Sequence, residues 1–350
     1  NKNRMFLIED NVEHKYNFAN QETKEKKKKT KKPPKSFTIT SPELKASFKE
    51  SFFNSVDNVK KSNINAEELY ETQLSKEMIE KYGPYFANSF DRKSVEIPPE
   101  NFLQRHHFKP AMRRKMVDWM LEVFNAFDSD ENTFFAAVRI MDKYLWKCKD
   151  LITEKSFYAV GVTSIYIASK TYDFYCIRMK ELINRVCHGA FDEKIIKRLE
   201  KWMLRDINFD IMSPGPSEFI QFLLYDLYMN NKGIIAKFRL RKIIDIVENC
   251  AIWVAKMCCH FEKYSSKAPN HIALACLFIG YEMAKDNKNL NSNEKKFFVE
   301  WLEFLFQNIG KDKDTKKNID NLYQDIYNTF VVFKKLGYKN LVKNHELFFD

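Results

Sequence analysis

Two stretches of the chain are apolar on nearly every side of a helix. They are "YAVGVTSIYIASK" (158–170) and "HIALACLFIGYEMA" (271–284), both dotted with Gly, Ala, Ser or Cys. A helix without a polar face has to be buried, and small residues let neighbouring helices approach it closely. Each stretch therefore reads as the central rod of its own bundle. Around the rods, a 3.6-residue apolar period predicts helices in two successive sets. The first set covers 111–127, 132–148, 154–171, 176–187 and 191–207. The second covers 217–229, 234–260, 268–285, 293–308 and 314–335. "SPGPSE" (213–218), with two prolines and a glycine, punctuates the chain between them. Two five-helix sets, each about 100 residues long, imply a duplicated helical unit. With only 8 glycines in 350 residues, the expected class is all-α.

The organisation expected from this pattern is a basic tail over 1–62 and an N-terminal helix with an extended linker over 63–110. Two helical units follow, 111–212 and 213–337, and then a short tail over 338–350. The helix within 63–110 starts near Asn65, a suitable N-cap, and ends near Gly83-Pro84.

The first helix of the first unit contains "MRRKMVDWMLEV" (112–123). On a wheel advancing 100° per residue, Met112, Met116, Trp119 and Val123 share one stripe. Val117, Met120 and Phe124 cluster a quarter turn away, and Arg113 falls in their midst. A buried guanidinium is costly unless paired, so Arg113 needs a carboxylate or must snorkel to the edge. Asp118 is the nearest in sequence, although the wheel sets it well apart. Asp142 on the next helix is the other candidate.

The net charge of +11 invites a nucleic-acid reading, and its distribution argues against one. Residues 24–35, "KEKKKKTKKPPK", hold +7 of it, leaving +4 for the rest of the chain. A lysine run before Pro-Pro resembles a nuclear import signal, with a solubilising linker as the plainer reading. No apolar run reaches about 18 residues, so no membrane span is expected. Seven cysteines with no secretory leader read as reduced and intracellular.

"MRRKMVDWMLEV", a central helix ending "YIASK", and "LEKWMLRDINFDI" (199–211), in that order and spacing, resemble the cyclin box. The best match is to the mitotic A/B-type cyclins. "SPGPSEFIQFLL" resembles the link into the second cyclin fold, and "KAPNHIALACLF" that fold's central helix. The resemblance covers about 63–335 and is more specific in the first unit. It implies a non-catalytic regulatory subunit that binds and activates a cyclin-dependent Ser/Thr protein kinase in mitotic or meiotic control, with nuclear and cytoplasmic residence and no cofactor. Such a protein acts by setting the kinase's regulatory helix.

Of the five recurring cyclin-box positions, the chain matches four: the structural pair Arg113 and Asp118, and the kinase-contacting Lys170 and Glu200. The leucine position falls on Ala159. The resemblance adds Tyr172, Asp173, Leu204, Phe209 and Ile211 to the kinase-binding set. "KTYDFY" departs from the family's aromatic and two acids after the lysine, keeping one carboxylate. Met112, Met116, Trp119 and Glu122 resemble a patch that docks Arg-x-Leu substrates or inhibitors, or are simply core. Lys115 stands where the family has an aliphatic residue and would repel the peptide's arginine. "RMFLIEDN" (4–11) partly resembles a destruction box, which would bring ubiquitin-ligase recognition of the tail. Ser41-Pro42 is a further modification motif.

An enzyme is not indicated. Neither a phosphate-binding glycine loop nor His-Glu-x-x-His is present, and "LRDINF" (204–209) lies on an amphipathic helix without a glycine-rich partner loop. Cys258, Cys259 and His260 point in different directions on a helix, which favours packing over a metal. Two alternatives to a kinase activator remain: a cyclin-fold protein that binds DNA or polymerase, and a helical scaffold without a kinase.

Overall fold

The computed structural model describes residues 96–106, 109–230, 241–285, 292–309, 313–333 and 340–341. The basic tail, the helix expected from Asn65, the Arg4–Asn11 motif and Ser41 lie outside the described residues. Among the described residues every regular element is helical, as the apolar period predicts.

The first set comprises α1 (Pro110–Ala126), α2 (Glu131–Lys147), α3 (Glu154–Tyr172), α4 (Met179–Glu181, continuing as a π-turn over Leu182–Val186) and α5 (Glu193–Asp206). The second comprises α6 (Pro216–Asn230), α7 (Arg241–Cys259), the single turn α8 (Glu262–Ser265), α9 (Pro269–Ala284), α10 (Ser292–Ile309) and α11 (Lys313–Val332). The starts follow local chemistry. Asp130 accepts from the Asn132 amide at the head of α2, and Thr153 from Ser156 at the head of α3. Pro110 and Pro269 open α1 and α9, where a missing amide costs nothing.

α3 and α9 are the two rods. Residues 159–165 of α3 are all buried, and so are Ala273–Leu277 of α9. Buried hydroxyls on α3 are satisfied along the helix itself: Thr163 donates to the Ala159 carbonyl and Ser164 to that of Val160, each at 2.8 Å. Close approach explains the glycines. A Cβ at Gly161 would lie 2.3 Å from the Met116 sulfur of α1. One at Gly280 would lie 2.8 Å from the Ala251 amide nitrogen of α7. Ala159 is fully buried, which places the family's leucine position in the core.

The helix expected over 176–187 begins later. Ile177 is buried, and its amide donates to the Ser169 hydroxyl at 2.8 Å. That bond draws the chain after α3 across the rod in an irregular path before α4 can start.

Polar groups weld the two sets together. Lys256 of α7, 2% exposed, pairs with Glu131 of α2 at 2.6 Å. Ser217 of α6 donates to Asn132 at 2.7 Å. Leu341 is buried, and its carbonyl accepts from the Trp253 indole of α7 at 3.3 Å. Cys258 and His260 are core residues, and the His260 ring meets the Lys256 carbonyl at 2.8 Å.

The expected Arg113–Asp118 pair is corrected by the structure. Five residues on one helix put these side chains about 140° apart, out of mutual reach. Arg113 is buried and forms a two-pronged pair with Asp142, the second candidate. Its Nε reaches Oδ1 and its Nη2 reaches Oδ2, both at 2.7 Å. Asp118 serves the far end of the chain. It accepts the Leu341 amide at 3.0 Å and Asn340 Nδ2 at 3.2 Å, and lies 3.4 Å from His260 Nε2.

Candidate partner-binding site

Lys170 closes α3, where a cation is favoured by the helix's C-terminal partial charge. One turn back, Tyr166 lies beneath it, with the ammonium 4.2 Å from the ring centroid. α5 buries Ile196, Leu199 and Met203 against the rod. That packing turns Glu200 toward the end of α3, and the Lys170 ammonium pairs with its carboxylate. The lysine side chain is 36% exposed and the glutamate 16%. The sequence-predicted pair is thus brought together at the rim of the bundle, neither submerged nor separated. Its chemistry is not exhausted. An ammonium carries three donors and a carboxylate about four acceptor sites, so each can still meet a backbone group of a docking partner.

The other residues expected at this site divide. Leu204 and Ile211 are half-buried and rest on the core. Phe209 is 65% exposed and stands in the left-handed backbone region at φ 56°, following Asn208 at 54°. Its amide donates to the Leu204 carbonyl at 2.8 Å, closing α5. The segment that follows is tied down. Asp210 pairs with Lys143 and accepts from Ser213 at 2.7 Å. Burial alone would push the Asp210 carboxyl up, but these bonds and the nearby cations hold it below the usual aspartate value. Tyr172 is half-buried, and Arg139 Nη2 donates to its hydroxyl at 3.1 Å and to the Ile211 carbonyl at 2.9 Å.

Asp173 does not present the free carboxylate expected of it. Its oxygens accept from the Ser129 hydroxyl (3.0 Å), the Asp130 amide (3.0 Å), Thr133 (2.5 Å) and Ser169 (2.7 Å). Four donors fill the acceptor sites of a carboxylate. Asp173 therefore latches the end of α3 to the α1–α2 turn, and the surviving acid of "KTYDFY" is structural.

Sequence reasoning missed the two residues that follow. Phe174 and Tyr175 are 92% and 88% exposed, in a T-shaped pair with centroids 4.8 Å apart. They project between the Asp173 latch and the buried Ile177. The available signal was two adjacent aromatics in a segment with no apolar period.

The suggested docking patch is also only partly available. Met116 is buried beneath Gly161 and belongs to the core, which corrects its place in the patch. Met112 and Trp119 are half-buried, and the Trp119 ring lies 5.2 Å from Tyr158. Glu122 is exposed but accepts from Asn340 Nδ2 at 3.3 Å.

No helix among the described residues is long and apolar enough to cross a membrane, and none of their His, Cys, Asp and Glu side chains form a group of three placed for a metal ion. Buried thiols are held protonated: burial pushes Cys148, Cys187 and Cys250 up to about 12.

Residues 86–212 match the family model "Cyclin, N-terminal domain". The S-phase entry cyclin-5 of Saccharomyces cerevisiae is 27% identical over 212 residues, 58% of this chain and 44% of that protein. The G2/mitotic-specific cyclin-B3 of Drosophila melanogaster is 30% identical over 141 residues, 40% of this chain and 24% of that protein. The G2/mitotic-specific cyclin cdc13 of Schizosaccharomyces pombe is 28% identical over 128 residues, 36% and 26%. Across such relatives the chain spans from 24% to 58% of their length. A solved viral cyclin from herpesvirus saimiri superposes with a TM-score of 0.46 at 18% identity, covering 63% of this chain and 85% of that one.

Proposed function

The chain belongs to the cyclin family, and on that premise we propose that it binds and activates a cyclin-dependent Ser/Thr protein kinase in cell-cycle control. In this reading it contributes no catalytic group. The observation that carries the reading is the Lys170–Glu200 pair, held half-exposed where α3 meets α5. A cation and an anion side by side, with spare hydrogen-bonding capacity, suit the backbone at the end of a partner helix. Leu204 beside them and the exposed Phe209, Phe174 and Tyr175 supply apolar contact around that polar centre. Tyr172 and Ile211 support the surface from behind through Arg139.

The tail over 1–62 is proposed to govern location, shared between nucleus and cytoplasm, and lifetime, through ubiquitin-ligase recognition. Docking of Arg-x-Leu partners would fall to Met112, Trp119 and Glu122, where Lys115, exposed on the same helix, opposes the peptide's arginine and Met116 lies beneath the surface.

Purification of the tagged chain from cells, with identification of the bound kinase and assay of its activity, tests the proposal. A kinase that co-purifies with the chain but not with the Lys170→Glu variant supports it. Equal recovery with both refutes the assigned contact.

A further inference from the structure

The outer face of α5 is cationic along its whole length. Counting 100° per residue from Lys194, Arg198 falls at about 40°, Lys201 at −20° and Arg205 at 20°. The four share an arc of about 60°, opposite the buried Ile196, Leu199 and Met203. All four are exposed, and none has an ion pair or side-chain hydrogen bond among the described residues. Lys197 flanks them but is paired with Glu193 at 2.5 Å. Like charges at i, i+4 repel, so the helix bears an internal cost that an anionic partner would relieve.

We propose that this strip docks an acidic peptide in extended conformation. With a rise of 1.5 Å per residue, the four cations sit at about 0, 6, 10 and 16 Å along the axis. Alternate residues of an extended chain repeat at about 6.6 Å on one face, so acids at every second position meet the first two cations and lie within about 4 Å along the axis of the other two, a span that long lysine and arginine side chains bridge. A single-stranded nucleic acid could meet the charges but would need exposed aromatic platforms for its bases, and the one aromatic of α5, Trp202, lies about 40° beyond Arg198 and is half-buried against the core. Just past the end of α5, Met212 is 60% exposed, which gives a peptide an apolar anchor after its acidic run. Glu200 lies about 130° round the helix from the strip's centre. Acidic-peptide docking is therefore independent of the kinase contact.

The test is fluorescence anisotropy of a labelled 12-residue peptide with glutamate at alternate positions, against the full chain. In every arm the eight lysines between 24 and 35 are replaced by glutamine, so that the tail does not compete. K194E/R198E/K201E/R205E is expected to weaken binding by about tenfold or more, by loss and reversal of four exposed charge contacts. The milder K194Q/R198Q/K201Q/R205Q should give an intermediate loss. The matched surface variant K109E/K149E/K180E/K317E should stay within about twofold of the parent. Equal loss in the strip and matched variants overturns the proposal. So does an oligothymidylate of the same charge that binds the strip more tightly than the peptide, which would make the partner a nucleic acid.

Discussion

Arg113 of α1 and Asp142 of α2 face each other in a buried, two-pronged ion pair that also reaches the second helical set. Arg113 Nη1 donates to the Cys259 carbonyl at 2.8 Å and Nη2 to the Ser265 hydroxyl at 3.1 Å. Ser265 in turn donates to Asp142 at 2.8 Å. Burial opposes the guanidinium's charge, but the facing carboxylate outweighs it and raises the arginine's pKa further. One charged pair thus fixes α1, α2 and the α7–α8 corner at once, and sets how the two units meet.

Breaking that pair from one side leaves a charge buried without its partner. Asp142→Asn and Arg113→Ala are each expected to cost about 3–5 kcal/mol, read as the fall in unfolding free energy in urea. The double change Arg113→Met with Asp142→Leu removes both charges and should cost less than either alone. A double variant as unstable as the sum of the singles would show that the pair has no coupling energy.

Lys170 and Glu200 call for a different experiment, because an exposed pair contributes only about 0–1 kcal/mol to stability. Lys170→Ala with Glu200→Ala should leave the unfolding transition nearly unchanged and abolish kinase activation. The swap Lys170→Glu with Glu200→Lys is the sharper probe. It rebuilds an internal ion pair while inverting what a partner meets. A swapped chain that activates its kinase fully would reduce the pair to a structural tie.

Much of this architecture was legible in the sequence. Both rods could be read because a helix apolar all round has only one place to go. Arg113 was legibly buried, but a helical wheel gives direction, not neighbours, so it could not choose between Asp118 and Asp142. Asp118's partners, Asn340 and Leu341, lie more than 220 residues away, beyond any local pattern. Asp173 looked like a surface acid because three of its four donors, Ser129, Asp130 and Thr133, lie 40 or more residues away. Averaging hid the strip on α5: a net +4 outside the tail says nothing about four unpaired cations sharing one face.

Phe174 and Tyr175 bury almost nothing within the chain, so truncating them should leave its stability within about 0.5 kcal/mol. Exposed aromatics next to a polar contact are the residues that dominate an interface, often by about 2 kcal/mol or more each. Phe174→Ser with Tyr175→Ser should therefore weaken kinase binding by tenfold or more. Surface plasmon resonance with the co-purified kinase reads it directly. Unchanged affinity would remove the aromatic pair from the contact surface.

Asp210 makes the segment behind Phe209 sensitive to acid, and the direction follows from its neighbours. Its carboxyl titrates below the ordinary aspartate value because Lys143 and Ser213 bond its charged form, against the opposing effect of burial. The unfolded chain therefore binds the proton more readily than the folded one. The stabilisation is fully present above the unfolded aspartate value of about 3.9 and is lost as pH falls through the lower folded value. Protonation leaves Lys143, whose side chain is 4% exposed, with the Glu96 carboxylate at 3.7 Å as its remaining ion pair among the described residues. Asp210→Asn should be less stable than the parent near neutrality, and the gap should close as pH falls below about 4. Urea unfolding of both chains across that range measures it. A gap that stays constant with pH would mean that the carboxylate's charge is not what holds the Phe209–Ile211 segment in place.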